Sequence, residues 1–251
     1  MYSRIPMPNS EWTEENISYA MCFFPWIGAV IGAVSLGIFR LSEWAQKMGI
    51  SVSPLLGTIL LVLVPILITG GIHMDGFLDT QDALSSYQPK ERRLEILKDS
   101  HAGAFAIISC AVYLLFYVGV YSSLSWESIK VIALGFVLSR ILSGLAVVTF
   151  PQARKNGMAA TFSQNAAKKA TKAVLILYLI ILGMIILAVG GWRGLVCLIT
   201  AGFMFLYYYR MSMDKFGGIT GDLAGYFLQM CELLMAAAVV VSDVVIKSII
   251  G

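Results

Sequence analysis

The sequence predicts an all-α fold, a polytopic integral membrane helical bundle of about seven transmembrane helices, and three observations carry that expectation. First, 58% of the 251 residues are hydrophobic and 13% are charged, with a mean hydropathy of +0.80. Soluble domains average ~45–50% and ~25%. Second, seven largely apolar runs lie near residues 17–39, 50–72, 102–125, 131–150, 173–191, 194–209 and 223–246, where a spanning helix needs ~20 residues. Third, Lys and Arg are shared unevenly among the connecting segments, as in membrane proteins that keep positive charge inside. Short connections make this a single transmembrane domain over residues 1–251.

The residues before the first run include Glu11, Glu14 and Glu15, so no cleaved secretory signal is expected. Inside that run, Gly28 and Gly32 form a G-x-x-x-G pair that lets helix backbones approach closely. The second run ends at Gly70-Gly71, and Asp75, Asp79 and Asp82 follow at once. From Ala83 to Lys98, Leu84, Tyr87, Leu94 and Leu97 share one side while Glu91, Arg92, Arg93 and Lys98 fall mainly elsewhere. That pattern suits a helix lying on the membrane surface with its charges solvated. Asp99-Ser100-His101-Ala102-Gly103 precedes the third run. It fits a loop that approaches a ligand closely, and equally a helix N-terminal cap by Asp99 or Ser100.

Arg140 sits inside the fourth run, where an arginine is costly and calls for an anionic partner. Arg154-Lys155-Asn156-Gly157-Met158 then makes a basic turn suited to phosphate. The sixth run is short, and a loop over 211–221 leads to Gly217-Gly218-Ile219-Thr220-Gly221-Asp222 at the head of the seventh. There Thr220 is placed to cap, glycines such as Gly218 admit a bound group, and Gly225, Gln229 and Glu232 share nearly one helical face with Asp222. Capping accounts for Asp222 but not for an embedded Glu232, so these acids are expected to complete a metal or substrate site.

With the amino terminus in the cytoplasm, twelve of the eighteen Lys and Arg fall inside: Arg4, Lys90, Arg92, Arg93, Lys98, Arg154, Lys155, Lys168, Lys169, Lys172, Arg210 and Lys215. The protein is therefore expected in the cell membrane, multi-pass, with its active site facing the cytoplasm. Trp126 and Trp192 fall at the outer interface, and Tyr207, Tyr208 and Tyr209 at the inner one. A net charge of +3 needs no partner beyond anionic lipid, and no nucleic acid is expected. Homo-oligomerisation is left open. The four cysteines, Cys22, Cys110, Cys197 and Cys231, stand singly in apolar runs and read as packing residues.

The chemistry lies in Asp75, Asp79 and Asp82. Spacings of four and three put them on one helical face within about 60°. Three anions so placed repel unless a cation joins them, and a row of carboxylate oxygens is the ligand set of a hard ion such as Mg2+. Asp222 is expected to share that site. Arg140 and Arg154 are expected to hold phosphate, with His73, Asp99, His101, Gly157, Gly218, Thr220 and Glu232 around the substrate. The histidines match no zinc spacing, so hydrogen bonding near the metal suits them better than ligation. Metal-holding carboxylates with phosphate-holding arginines point to phosphoryl transfer.

The letters also resemble a known family. Arg4-Ile5-Pro6-Met7-Pro8, Phe24-Pro25 with Gly28, the stretch from Gly70 to Asp82 with its H-x-D-G-x-x-D-x-x-D pattern, Lys98 to Gly103, Arg154 to Gly157 and Gly217 to Asp222 occur in an order similar to that of the adenosylcobinamide-GDP ribazoletransferase (cobalamin synthase) family. The likeness spans nearly the whole chain, with Gln229 standing where an acid is common. It implies a magnesium-dependent transfer of the adenosylcobinamide phosphoryl group from adenosylcobinamide-GDP to the hydroxyl of α-ribazole or its 5′-phosphate. GMP is released in that final step of nucleotide-loop assembly. The catalytic set so implied is Asp75, Asp79, Asp82, His73 and Asp222.

Two alternatives stand beside it. A CDP-alcohol phosphotransferase-like lipid enzyme uses the same alcohol attack, although the Asp spacing here is tighter and the Arg of that motif is absent. An ion-coupled transporter would also use embedded Arg140 and Glu232. Acids gathered at one end of the spans favour the enzymes.

Overall fold

The computed structural model describes residues 14–50, 53–99, 101–154 and 168–250. Among these, nine helices follow in order: α1 (Glu14–Lys47), α2 (Pro54–Thr69), α3 (Ile72–Ser85), α4 (Lys90–Ile96), α5 (Ala104–Tyr121), α6 (Trp126–Thr149), α7 (Lys168–Gly190), α8 (Trp192–Phe216) and α9 (Gly221–Ile250). Six are long and apolar enough to cross a membrane, and the bent pair α2 and α3 brings the number to as many as seven. The chain is a multi-pass helical bundle, as the apolar runs predict.

The centre is α6, 89% buried over its most apolar stretch and packed against α1, α7, α8 and α9. The Gly28 and Gly32 pair does what its spacing predicts. A Cβ on either would strike the α6 backbone, at Phe136 and Ala133 respectively, so α1 and α6 meet backbone to backbone. On its most apolar stretch α7 is 17% buried and presents Ile176, Ile180, Met184 and Leu187 outward, as lipid-facing helices do. Cys22, Cys197 and Cys231 are buried and Cys110 partly so, all free, in keeping with packing roles.

Two expectations change. The second apolar run forms one 16-residue helix, α2, and stops at Gly70 (φ 69°) and Gly71 (φ 83°), which both take the left-handed conformation that glycine alone adopts cheaply. The chain turns by 93° there, so the Asp row rides on a separate helix, α3. The short sixth run, in turn, is the apolar middle of a 25-residue helix, α8, that absorbs most of the expected 211–221 loop.

The stretch after the row also differs from a freely solvated surface helix. Residues 83–85 belong to α3, Tyr87 is 90% exposed, and Leu84, Leu94 and Leu97 pack toward the core. Lys90 Nζ donates to the Met213 carbonyl at 3.2 Å and an Arg93 guanidinium nitrogen to that of Lys215 at 3.4 Å. These basic side chains serve carbonyls at the C-terminal end of α8, where a helix dipole favours cations. At the far end of the bundle, Asp243 of α9 accepts from Ser128 of α6 and, at 2.6 Å, from Arg193 Nε of α8. Arg40 covers the Trp126 ring at 3.3 Å in the same region.

Candidate active site

The site begins where α3 crosses α9. A Cβ on Gly76 would lie 2.6 Å from the Asp222 carbonyl oxygen, and one on Gly225 3.0 Å from that of His73. Phe77 stacks on Tyr226 beside them, the rings 5.9 Å apart and 7° from parallel. Two glycines thus bring the helices together and set the acids of α3 next to Asp222 in the first turn of α9. Asp75 is exposed and Asp79 half-buried. The charged neighbours of Asp79 are Asp75, Asp222, Asp82 and Asp99, all of one sign. The Asp75 and Asp79 carboxylates make no hydrogen bond or ion pair with any described residue.

Asp82 behaves differently. Its Oδ2 accepts the Gly103 N–H at 2.5 Å and its Oδ1 the Ala106 N–H at 2.8 Å. The helix that opens the third run is therefore capped from across space, not by Asp99. Asp99 Oδ1 takes the His101 backbone N–H at 3.0 Å and lies 2.7 Å from His101 Nδ1. Those hydrogen bonds, side chain first, hold the exposed Asp99 carboxyl below the usual carboxylate range. Ser100 and Gly157, like Arg4, lie outside the described residues.

A second loop closes on the first. Ile219 N donates to Pro151 O at 2.9 Å and Ala153 N to Ile219 O at 3.0 Å, a short parallel bridge. Gly218 is buried against this backbone with no room for a Cβ. The bridge carries Arg154 within electrostatic reach of Asp222. A guanidinium nitrogen of Arg154 donates to the Leu94 carbonyl, while its Nε is buried without a partner among the described residues. Thr220 caps α9 as expected, accepting from Leu223 N at 3.2 Å and donating to Asp222 Oδ2 at 3.3 Å.

Arg140 and Glu232 are paired with each other. Their side chains are 1% and 3% exposed and 2.6 Å apart, with Ser139 Oγ donating to Glu232 at 2.9 Å and Arg140 also donating to Phe136 O at 2.8 Å. Glu232 is ten residues, or about 15 Å, along α9 from Asp222, too far to share one ion with it. Gln229, on the same face, accepts from Tyr113 at 2.5 Å and packs α9 on α5. His73 is buried with its Nε2 unpartnered among the described residues, edge-on to Phe24. It lines a cavity of about 20 Å³ with Ser143, Gly221 and Gly225, and feels the Arg140 charge.

Among the described residues, no group of three or more His, Cys, Asp or Glu side chains is gathered as a ready-made ion cage. What the structure brings together at one end is Asp75, Asp79, Asp222 and Arg154, with Asp82, Asp99 and His101 at the edge. The sequence reading did not single out Gly76 and gave Gly103 no partner. The glycine directly after Asp75 in a helical stretch was the available signal for the first.

A helical membrane bundle with an acidic site and one facing arginine at one end is the architecture of an integral membrane enzyme of charged substrates. A family model described as cobalamin-5-phosphate synthase matches residues 1–240, and the chain belongs to that family. An adenosylcobinamide-GDP ribazoletransferase of Lachnoclostridium phytofermentans is 50% identical over 98% of this chain and 92% of its own length. Relatives of the same name from Clostridium perfringens and Desulfitobacterium hafniense are 31% and 32% identical, each over 92% of this chain and over 91% and 90% of theirs. No solved structure matches.

Proposed function

We propose that the chain is a magnesium-dependent adenosylcobinamide-GDP ribazoletransferase of the cell membrane, with its acidic site on the cytoplasmic side. The hydroxyl oxygen of α-ribazole, or of its 5′-phosphate, attacks the cobinamide-linked phosphorus of adenosylcobinamide-GDP. The bond from that phosphorus to the GMP oxygen breaks, GMP leaves with the electron pair, and adenosylcobalamin or its 5′-phosphate is formed. The observation that carries the reading is the α3 and α9 junction, which sets three aspartates and Arg154 together in a chain of this family.

The residues fit a hard divalent ion by donor chemistry. Asp75 and Asp79 offer carboxylates not engaged with described residues, and Asp222 adjoins them through Gly76. Bound there, magnesium neutralises charge on the diphosphate oxygens. Arg154 offers a planar cation to the same oxygens, and one carboxylate of the group accepts the hydroxyl proton. Arg140, tied to Glu232 in the interior, stabilises the bundle beneath the site, and His73 packs the α3 and α9 crossing. The lipid-synthase and transporter alternatives give way because family membership spans almost the whole chain.

The test is incubation of purified protein, in detergent or lipid, with adenosylcobinamide-GDP, α-ribazole and magnesium. GMP and a complete corrinoid should appear together and disappear on chelation. Intact substrates, or GMP without the joined product, would rule the reading out.

A further inference from the structure

We infer that Asp82 is a positioning residue that caps α5 and holds the Asp99–His101 turn at the mouth of the site, leaving Asp75, Asp79 and Asp222 as the carboxylates for an ion. The inference rests on the transferase reading for what the turn is held against. The capping itself stands on geometry alone.

Asp82 lies in the last turn of α3, and both of its oxygens face the start of α5. Oδ2 accepts from Gly103 N at 2.5 Å and Oδ1 from Ala106 N at 2.8 Å. Gly103 is the N-cap residue of α5, and Ala106 is the third residue of its first turn, whose N–H a local Ser or Asp cap would take. Gly103 has no side chain to do this. The three atoms nearest a Cβ built there are the Asp82 carboxylate atoms, at 2.7, 2.8 and 2.9 Å. The Gly103 backbone, φ −77° and ψ 171°, suits any residue, so glycine is needed for space and not for conformation.

Ala106 is 1% exposed, and without Asp82 its N–H would be buried with no acceptor. A carboxylate at a helix N-terminus is also favoured by the dipole. Asp75 and Asp79 have no such employment. Two residues before Gly103 stands His101, bonded to Asp99, which is itself among the charged neighbours of Asp79. Fixing α5 therefore fixes that turn against the row.

The test uses the full chain in detergent, with Mn2+ as metal probe and GMP release as activity. Asp82→Ala should lower activity by about 10–100-fold, as loss of an outer support does, while Mn2+ affinity stays within about twofold, as for an independent site. Gly103→Ser added to Asp82→Ala fills the vacated space with a local cap, and should restore the melting temperature and most of the activity. Should Asp82→Ala alone not fold, the double variant carries the test. A folded and active double variant supports the inference, and one that fails to fold or to release GMP overturns it. A fall in Mn2+ affinity on Asp82→Ala as large as that on Asp79→Asn overturns it too. If the wild type releases no GMP, the transferase reading fails, whereas the recovery of melting temperature by Gly103→Ser still decides the cap.

Discussion

Gly76 and Asp222 touch through their backbones: a Cβ on Gly76 would lie 2.6 Å from the Asp222 carbonyl oxygen and 2.9 Å from its Cα. Backbone cannot yield as a side-chain tip can, so this contact sets the distance between the Asp row and the head of α9.

Gly76→Ala tests that contact. Helix propensity alone would stabilise α3 by about 1 kcal/mol. The clash should reverse the sign, lowering the melting temperature and GMP release together. A variant more stable than wild type with full activity would show that the close approach is not needed.

Asp75→Asn and Asp79→Asn should abolish most activity yet leave the metal-free protein as stable as wild type or more so. Removing one of several crowded like charges relieves repulsion. Magnesium at ~100 times its Kd should stabilise the wild type by about 2.7 kcal/mol, and this gain should vanish in both variants. Thermal unfolding with and without magnesium reads both effects.

Arg154→Lys keeps the charge and loses the planar fork. The KM for adenosylcobinamide-GDP should rise much more than that for α-ribazole. Equal increases for the two substrates would move Arg154 away from the diphosphate.

Glu232→Ala leaves the Arg140 guanidinium buried without its carboxylate, at a cost of about 3–5 kcal/mol. Replacing both residues with apolar ones, as in Arg140→Met with Glu232→Leu, should recover much of that loss. Unfolding in detergent reads that recovery, and GMP release separates the roles: a support role leaves the stable double variant active, whereas direct substrate binding would leave it stable and inactive.

Gln88→Cys, Lys98→Cys and Asp214→Cys, in a background with the four native cysteines changed to Ala, should react alike with an impermeant thiol reagent added from the cytoplasmic side. Ser122→Cys should react only from the other. All four positions are exposed. A split among the first three would refute the orientation drawn from the basic residues.

Much of this architecture was legible in the letters. Apolar runs mark the helices because hydrocarbon tolerates little else, and the spacing of Gly28 and Gly32 announced a close backbone approach without naming α6 as the partner. An embedded Arg140 demanded an acid, and Glu232 was visible, yet nothing local joins two residues 92 positions apart. The same holds for Asp82, whose helical face matched its neighbours while its partners sit 21 and 24 residues onward in another helix. Periodicity reports which way a side chain faces. It does not report what stands opposite, and that decided the difference between Asp79 and Asp82.

The pairing of Arg140 with Glu232 also orders the birth of the protein. The arginine leaves the ribosome 92 residues before its partner, a lag of about 5–20 s at bacterial-like rates of synthesis. Through that interval Arg140 lacks the carboxylate of its buried pair, which arrives with the last helix. A chain cut short before α9 would leave Arg140 without the carboxylate that lies 2.6 Å from it in the finished bundle.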